Sequence, residues 1–171
     1  MSVSSVFTWM LIAALVAVVT YVLYRNGKLK ACAAIALPVL VFYLAFVVTI
    51  TLVERVVSAD PTYNLTVFWS YQAIADGRKD LIMEIVWNIV LFVPIGFLVN
   101  YIIPIKFFWV SVISGLLLSA GIETLQLVLH RGFFEFDDMI HNTLGAILGI
   151  VVFALVSLVW KGLISVSSRH L

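Results

Sequence analysis

Glu123 and Gln126 lie inside one hydrophobic stretch of this chain, Arg131 follows in a short loop, and Asp138, His141 and Asn142 open the next stretch. A charged side chain at the centre of a bilayer costs roughly 2.5–3.5 kcal/mol on insertion scales, so such residues read as a functional site by default. The chemistry on offer is of three kinds. Glu123 and Asp138 form a candidate acid–base pair, because a desolvated carboxyl holds its proton more tightly than one in water. Arg131 carries a planar guanidinium suited to a phosphate or carboxylate and to developing negative charge. Asn64, Asn88, Gln126 and Asn142 are neutral donors and acceptors that would orient a polar headgroup.

Each of these residues also has a purely structural reading. Asn88, Gln126 and Asn142 serve equally as hydrogen-bond glue between membrane helices. Asp138 suits the first turn of a helix, where the dipole favours a negative charge. Arg131 fits an interfacial residue whose charged end reaches water, or the partner in a structural pair with Glu123. Glu135 and Asp137, in the same loop, read as solvated acids. His130 and His141 could join Glu123 and Asp138 around a metal, but their spacing matches no zinc signature and Cys32 is the only cysteine. No metal and no cofactor is implied. No Ser–His or Cys nucleophile arrangement is visible, so proton transfer is the favoured form of any catalysis.

The elements that position these groups are membrane helices. Hydrophobic residues make up 64% of the 171-residue chain, charged residues only 11%, and mean hydropathy is +1.17. A helix needs about 20 apolar residues to cross a hydrocarbon core of about 30 Å. Five segments qualify: Val3–Tyr24, Ala31–Val53, Leu81–Ile103, Phe107–Leu129 and Met139–Trp160. The expected fold is therefore an all-α integral membrane protein, a bundle of five transmembrane helices forming a single membrane domain over residues 1–171. The first span lacks a basic leading region and a small-residue cleavage site, so it reads as a retained helix.

Basic residues set the expected orientation. The loop 25–30, the turn 104–106 and the tail from Lys161 contain no Asp or Glu, whereas segments 54–80 and 130–138 hold seven acids and four basic residues. The positive-inside rule then places the N-terminus outside and the C-terminus in the cytoplasm. Segment 54–80 becomes external. Its Asp60–Asn64 portion is turn-like, and the aromatic and β-branched run Leu65–Tyr71 reads either as an interfacial segment or as a lid over the bundle.

Depth and helical face bring the polar residues together. At 1.5 Å per residue Glu123 sits roughly 9 Å below the outer end of its span and Asn142 roughly 5 Å below the end of the next. Glu84 and Asn88 enter from the same side. Ser111, Gly115, Ser119 and Glu123 form one i, i+4 row, Asn142, Gly145 and Gly149 a second, and Glu84, Asn88 and Gly96 share a face. Rows of small residues let membrane helices approach closely. One outward-facing polar pocket follows.

These residues also carry a resemblance. The run Asn88 to Leu98 is similar to the N-x-x-x-F-x-P-x-G hallmark of VanZ-like membrane proteins. Glu123, Gln126, Arg131, Asp138, Asn142 and Gly145 match that family's E-x-x-Q, R, D-x-x-x-N-x-x-G pattern, and Asn64-Leu65 resembles its upstream N-L segment. The likeness spans roughly residues 64–150. Val67 replaces a proline common after that N-L, and the bulky run Phe133–Phe136 would alter access to the pocket. The resemblance implies a multi-pass protein of the bacterial plasma membrane. The family's namesake is associated with low-level resistance to teicoplanin-type glycopeptides, although most members carry no demonstrated resistance role.

The leading functional expectation is binding of an envelope lipid or lipid-linked cell-wall precursor. An intramembrane enzyme acting on such a lipid is the alternative. A small lipid transporter is a third; no repeated half supports it, although a homo-oligomer joined through the glycine rows would offset the small size. Scattered basic residues and a formal net charge of +1 give no support to nucleic-acid binding.

Overall fold

The fold is taken from a computed structural model that describes residues 3–167. Six α-helices are present among the described residues: α1 (Val3–Arg25), α2 (Ala31–Val48), α3 (Trp69–Ala75), α4 (Asp80–Ile102), α5 (Phe108–Leu129) and α6 (Phe136–Ser167). A π-turn over Thr49–Val53 extends α2, and a 3₁₀ turn over Ile105–Phe107 leads into α5. Five helices are long and apolar enough to cross a membrane, so the protein is multi-pass. The fifth span begins at Phe136, three residues earlier than its hydropathy suggests, which draws Asp137 and Asp138 into the first turn of α6.

The spans alternate in direction, and side-chain bonds mark each crossing. Trp9 and Thr20 of α1 donate to Thr49 of the π-turn and to the Ala34 carbonyl of α2 (3.0 and 3.1 Å), and Tyr43 of α2 donates to the Leu91 carbonyl of α4 (2.8 Å). Near the opposite end Asn100 of α4 donates to Ser111 of α5. The apolar core between α2, α4 and α5 is built on Val47, Phe92, Ile95, Val99 and Ile122. α1 packs on α2 at the edge of the bundle and keeps most of its surface outward.

The closest approach is between α4 and α6, which run parallel. A methyl group on Gly145 would stand 2.1 Å from the Ile89 carbonyl oxygen, and one on Gly149 2.1 Å from that of Val93. From the other helix, a Cβ on Gly96 would meet the Ala146 carbonyl oxygen at 2.0 Å. Gly115 brings α5 against the Ala146 methyl group in the same way. The small-residue rows thus serve packing inside the chain, so an oligomer would need a different face.

Segment 54–80 folds onto the bundle end where α2 finishes and α4 and α6 begin. β1 (Tyr63–Asn64) pairs in parallel with β2 (Phe134–Glu135), in the register Tyr63 to Phe134 and Asn64 to Glu135. Ser58 donates to the His130 carbonyl through its backbone N–H (2.8 Å) and hydroxyl (3.2 Å), and Thr62 donates to the Gly132 carbonyl (2.7 Å). The helix α3 begins inside the aromatic run, after Phe68 in left-handed backbone (φ 63°). Its first amides find their acceptor in another helix. Asp137, fully buried, accepts from the backbone N–H groups of Phe68 and Ser70 and from the Ser70 hydroxyl. Asp137 is therefore a structural anchor, which corrects its reading as a solvated loop acid.

Two outcomes test this architecture. Gly145→Ala places a methyl against unyielding backbone and is expected to lower stability by about 3 kcal/mol. Gly121→Ala, whose added Cβ meets nothing within 4 Å, leaves stability unchanged or raised; thermal unfolding of both in one detergent makes the comparison. Asp137→Ala removes three charge-assisted bonds at once. At roughly 2 kcal/mol for such a bond, exchange protection at Phe68 and Ser70 should fall at least tenfold while that of α4 is kept.

Candidate functional site

The capped end of the bundle gathers residues from five elements. On α5, Glu123 is 2% exposed and Gln126 5%; on α6, His141 is 1% exposed and Asn142 5%. A side chain so placed must bond within the protein, because hydrocarbon offers no partner. Asn88 of α4 donates to Asp138 of α6 (2.7 Å), and Asn142 donates to Ser119 of α5 (2.8 Å). Glu123 accepts the backbone N–H of Glu135 (2.9 Å), so the loop before α6 is tied to a carboxylate inside the bundle. Gln126 donates to the Thr51 carbonyl (3.0 Å), one of the last carbonyls of the π-turn that ends α2.

Arg131 and Arg55 divide the cationic role differently from the sequence pattern. The Arg131 guanidinium donates to the carbonyls of Leu52 (3.3 Å) and Val53 (2.7 Å), closing the end of α2. Arg55, exposed just beyond that end, is close enough for its charge to act on both Glu123 and Asp138. Nothing in the spacing of the motif marks Arg55. Its position, two residues past a hydrophobic span, is the one available signal.

Glu135 also differs from expectation. It is half-buried, it accepts a hydrogen bond from the Trp69 indole N–H (2.8 Å), and its carboxyl is pushed up to about 7. Burial is the main cause; the neighbouring charges of Asp138, Glu84 and Asp137 add to it, and the Trp69 bond opposes it. Glu135 is thus a titrating member of the site rather than a solvated loop acid. Tyr71 of α3 bonds His141 Nε2 through its hydroxyl (2.9 Å), which joins the cap to α6 a second time.

Asn64 stands at the rim. Its side-chain oxygen accepts the Thr66 N–H (2.9 Å), shaping the turn before α3, and its backbone pairs with that of Glu135. Glu84 is exposed on the first turns of α4, close enough for its charge to act on Asp138 and Glu135. Among the described residues no three His, Cys, Asp or Glu side chains converge as a metal site would require.

The unpaired atoms give the site its chemical character. Gln126 Oε1, Asn142 Oδ1 and His141 Nδ1 are buried without a hydrogen-bond partner. Two of these are obligate acceptors. Glu123 and Asp138 each add a second carboxylate oxygen, beside the one that meets the Glu135 N–H or the Asn88 amide. Two amide oxygens and a ring nitrogen are thus left for a ligand to meet, next to two carboxyl groups that accept or donate according to their protonation. Such a surface complements hydroxyl or amine groups.

The comparisons with known proteins agree with the motif positions. The VanZ/LLP1 family profile matches residues 32–157, a wider stretch than the motifs alone, since it takes in α2 as well as α4 to α6. No curated protein and no solved structure matches the chain. With about three quarters of its length matched, and with Asn88, Glu123, Asp138 and Asn142 all inside that stretch, this multi-pass membrane protein belongs to the VanZ/LLP1 family.

Proposed function

We propose that the capped end faces the outside of a bacterial plasma membrane and binds the polar head of an envelope lipid, in particular a lipid-linked cell-wall precursor. The observation that carries this reading is the pair of buried amide oxygens, Gln126 Oε1 and Asn142 Oδ1, left without a hydrogen-bond partner, on the same helices as Glu123 and Asp138. A sugar or amino headgroup supplies donors, and Arg55 at the rim answers the phosphate that joins such a head to its lipid. Arg131 holds the end of α2 in place, and Asn64 and Asn88 set the rim and the Asp138 rotamer. The outside orientation rests on the segregation of basic residues to the other end. With Glu123 2% exposed, a ligand enters when segment 54–80 lifts, so that segment acts as a lid. A role in glycopeptide resistance would follow through sequestration of a precursor, and deletion of the gene in a resistant host tests it by antibiotic susceptibility.

A second reading, acid–base chemistry on the bound lipid, is favoured by one feature. Glu123 is tied to the backbone of Glu135, whose carboxyl titrates near neutrality, so a candidate proton acceptor and a second titrating carboxyl are joined through one hydrogen bond. In this reading Glu123 would take a proton from a ligand hydroxyl with Asp138 as partner carboxylate. A product formed by wild type and absent from Glu123→Gln would establish it; undiminished turnover by that variant would reject it.

Native mass spectrometry of protein purified from its host membrane tests binding directly. Wild type should retain a lipid that Glu123→Gln, Asp138→Asn and Arg55→Ala each lose by roughly tenfold or more, the effect of one hydrogen bond to a charged group. Equal retention by all four proteins would reduce the polar residues to helix glue. The lid carries a pH signature as well. The folded pKa of Glu135 lies above that of an unfolded glutamate, so its contribution to lid closure is complete below about pH 4.5 and lost as pH rises through about 7. Exchange protection over residues 58–75, corrected for intrinsic rates, should fall across that window in wild type and stay level in Glu135→Gln. Identical profiles would remove Glu135 from lid control.

A further inference from the structure

The opposite end of the bundle holds a groove that none of the family motifs reaches. It has a volume of about 480 Å³ and lies between the start of α2, the end of α4 and the end of the membrane-spanning part of α6. Lys30 and Lys161 stand at its edge, and its walls include Cys32, Tyr101, Pro104 and Phe153. A second groove of about 330 Å³ shares Tyr101, Phe153 and Ser157 with it and continues along α4 and α6 past Phe97 and Trp160. The two lysines flank the hydrocarbon limits: Lys30 immediately precedes one span and Lys161 ends another.

Charge defines what fits there. All nine acids of the chain lie between residues 54 and 138, around the capped end. Lys30 and Lys161 therefore have no carboxylate neighbour from the loop 25–30 or the turn 104–106, which face the groove from the other elements. The α2 N-terminus adds to the positive field, because its first amides have no side-chain cap from Lys30. Amide groups and dipole at a helix start attract anions, and guanidinium or ammonium groups at a membrane surface attract anionic lipid. Below this charge the walls are apolar and elongated.

We infer that this groove is a binding site for an anionic phospholipid of the surrounding bilayer, its phosphate between Lys30, Lys161 and the start of α2 and one acyl chain along Tyr101, Phe153 and Phe97. This site is separate from the carboxylate site at the capped end and does not rest on its proposed function. By holding α2 to α6 where the bundle has few polar links, the lipid would act as a structural ligand.

The test uses the full chain in phosphatidylcholine nanodiscs doped with phosphatidylglycerol, with lipids retained on ejection read by native mass spectrometry. Wild type is expected to keep phosphatidylglycerol in preference to phosphatidylcholine. The double variant Lys30→Gln/Lys161→Gln should lose that retention by about 30-fold, as expected for two interfacial lysines, while Lys30→Arg/Lys161→Arg keeps it. Arg25→Gln/Lys28→Gln removes the same charge outside the groove and should leave retention intact. Ser157→Trp, which fills the groove without changing charge, should reduce it. Equal retention of both lipids by wild type would overturn the site, as would equal loss in the two charge-removing pairs, which would signify diffuse attraction to the membrane surface. Glu123→Gln retains phosphatidylglycerol as wild type does if the two sites are distinct.

Discussion

Where α4 and α6 meet, Gly96, Gly145 and Gly149 bring backbone against backbone, so the pair packs closely only with glycine at these positions. In a membrane that constraint matters more than apolar complementarity, since lipid tails are as hydrophobic as leucine and helix association relies on close packing. A Cβ added at any of the three would stand within about 2 Å of a carbonyl oxygen of the other helix. The same packing sets Asn88 of α4 against Asp138 of α6, seven residues before Gly145. Gly115 then brings α5 close enough for Ser119 to receive Asn142 and for Glu123 to lie under the loop before α6. The polar site is thus a consequence of glycine packing below it.

Asp137 and Asp138 show how adjacent residues on one helix take different work. They differ by about 100° around the axis. Asp138 turns inward to Asn88, while Asp137 turns beneath the cap and holds the first amides of α3. Since α3 has only seven residues, its stability comes from that anchor and from packing rather than from propagation of its own hydrogen bonds. A cap attached mainly through one carboxylate, one short β-pair and the Trp69–Glu135 bond is suited to local opening while the spans stay folded.

The spans and the paired faces were legible in the sequence because they follow local rules. Hydropathy over about 20 residues gives a span, and Ser111, Gly115, Ser119 and Glu123 reveal a face by their spacing. The burial of Ser111, Ser119 and Glu123 on α5 agrees with that row. What stayed illegible depends on pairing across distance. Asp137 looks like a loop acid until a left-handed Phe68, almost 70 residues upstream, presents its N–H. Arg131 looks like the natural partner of Glu123, but the last carbonyls before the helix ends at Val53 lack an intrahelical partner and take its guanidinium. The charge of Arg55 acts on the carboxylates as well, a role no motif spacing announces.

The segregation of charge joins the two ends of the molecule into one argument. Gathering acids at one end creates mutual repulsion, and the fold answers it with separate neutral donors: a backbone N–H for Glu123, an amide for Asp138, an indole for Glu135 and three donors for Asp137. None of these is a close arginine or lysine, so the carboxylates keep their attraction for an incoming donor. At the other end the loop 25–30 and the turn 104–106 contain no Asp or Glu, and their basic residues keep theirs for an incoming anion. A chain with balanced salt bridges at each end would have been better satisfied by itself. Leaving acceptors unmatched at one surface and cations unmatched at the other favours a protein whose polar groups are completed by molecules of the membrane.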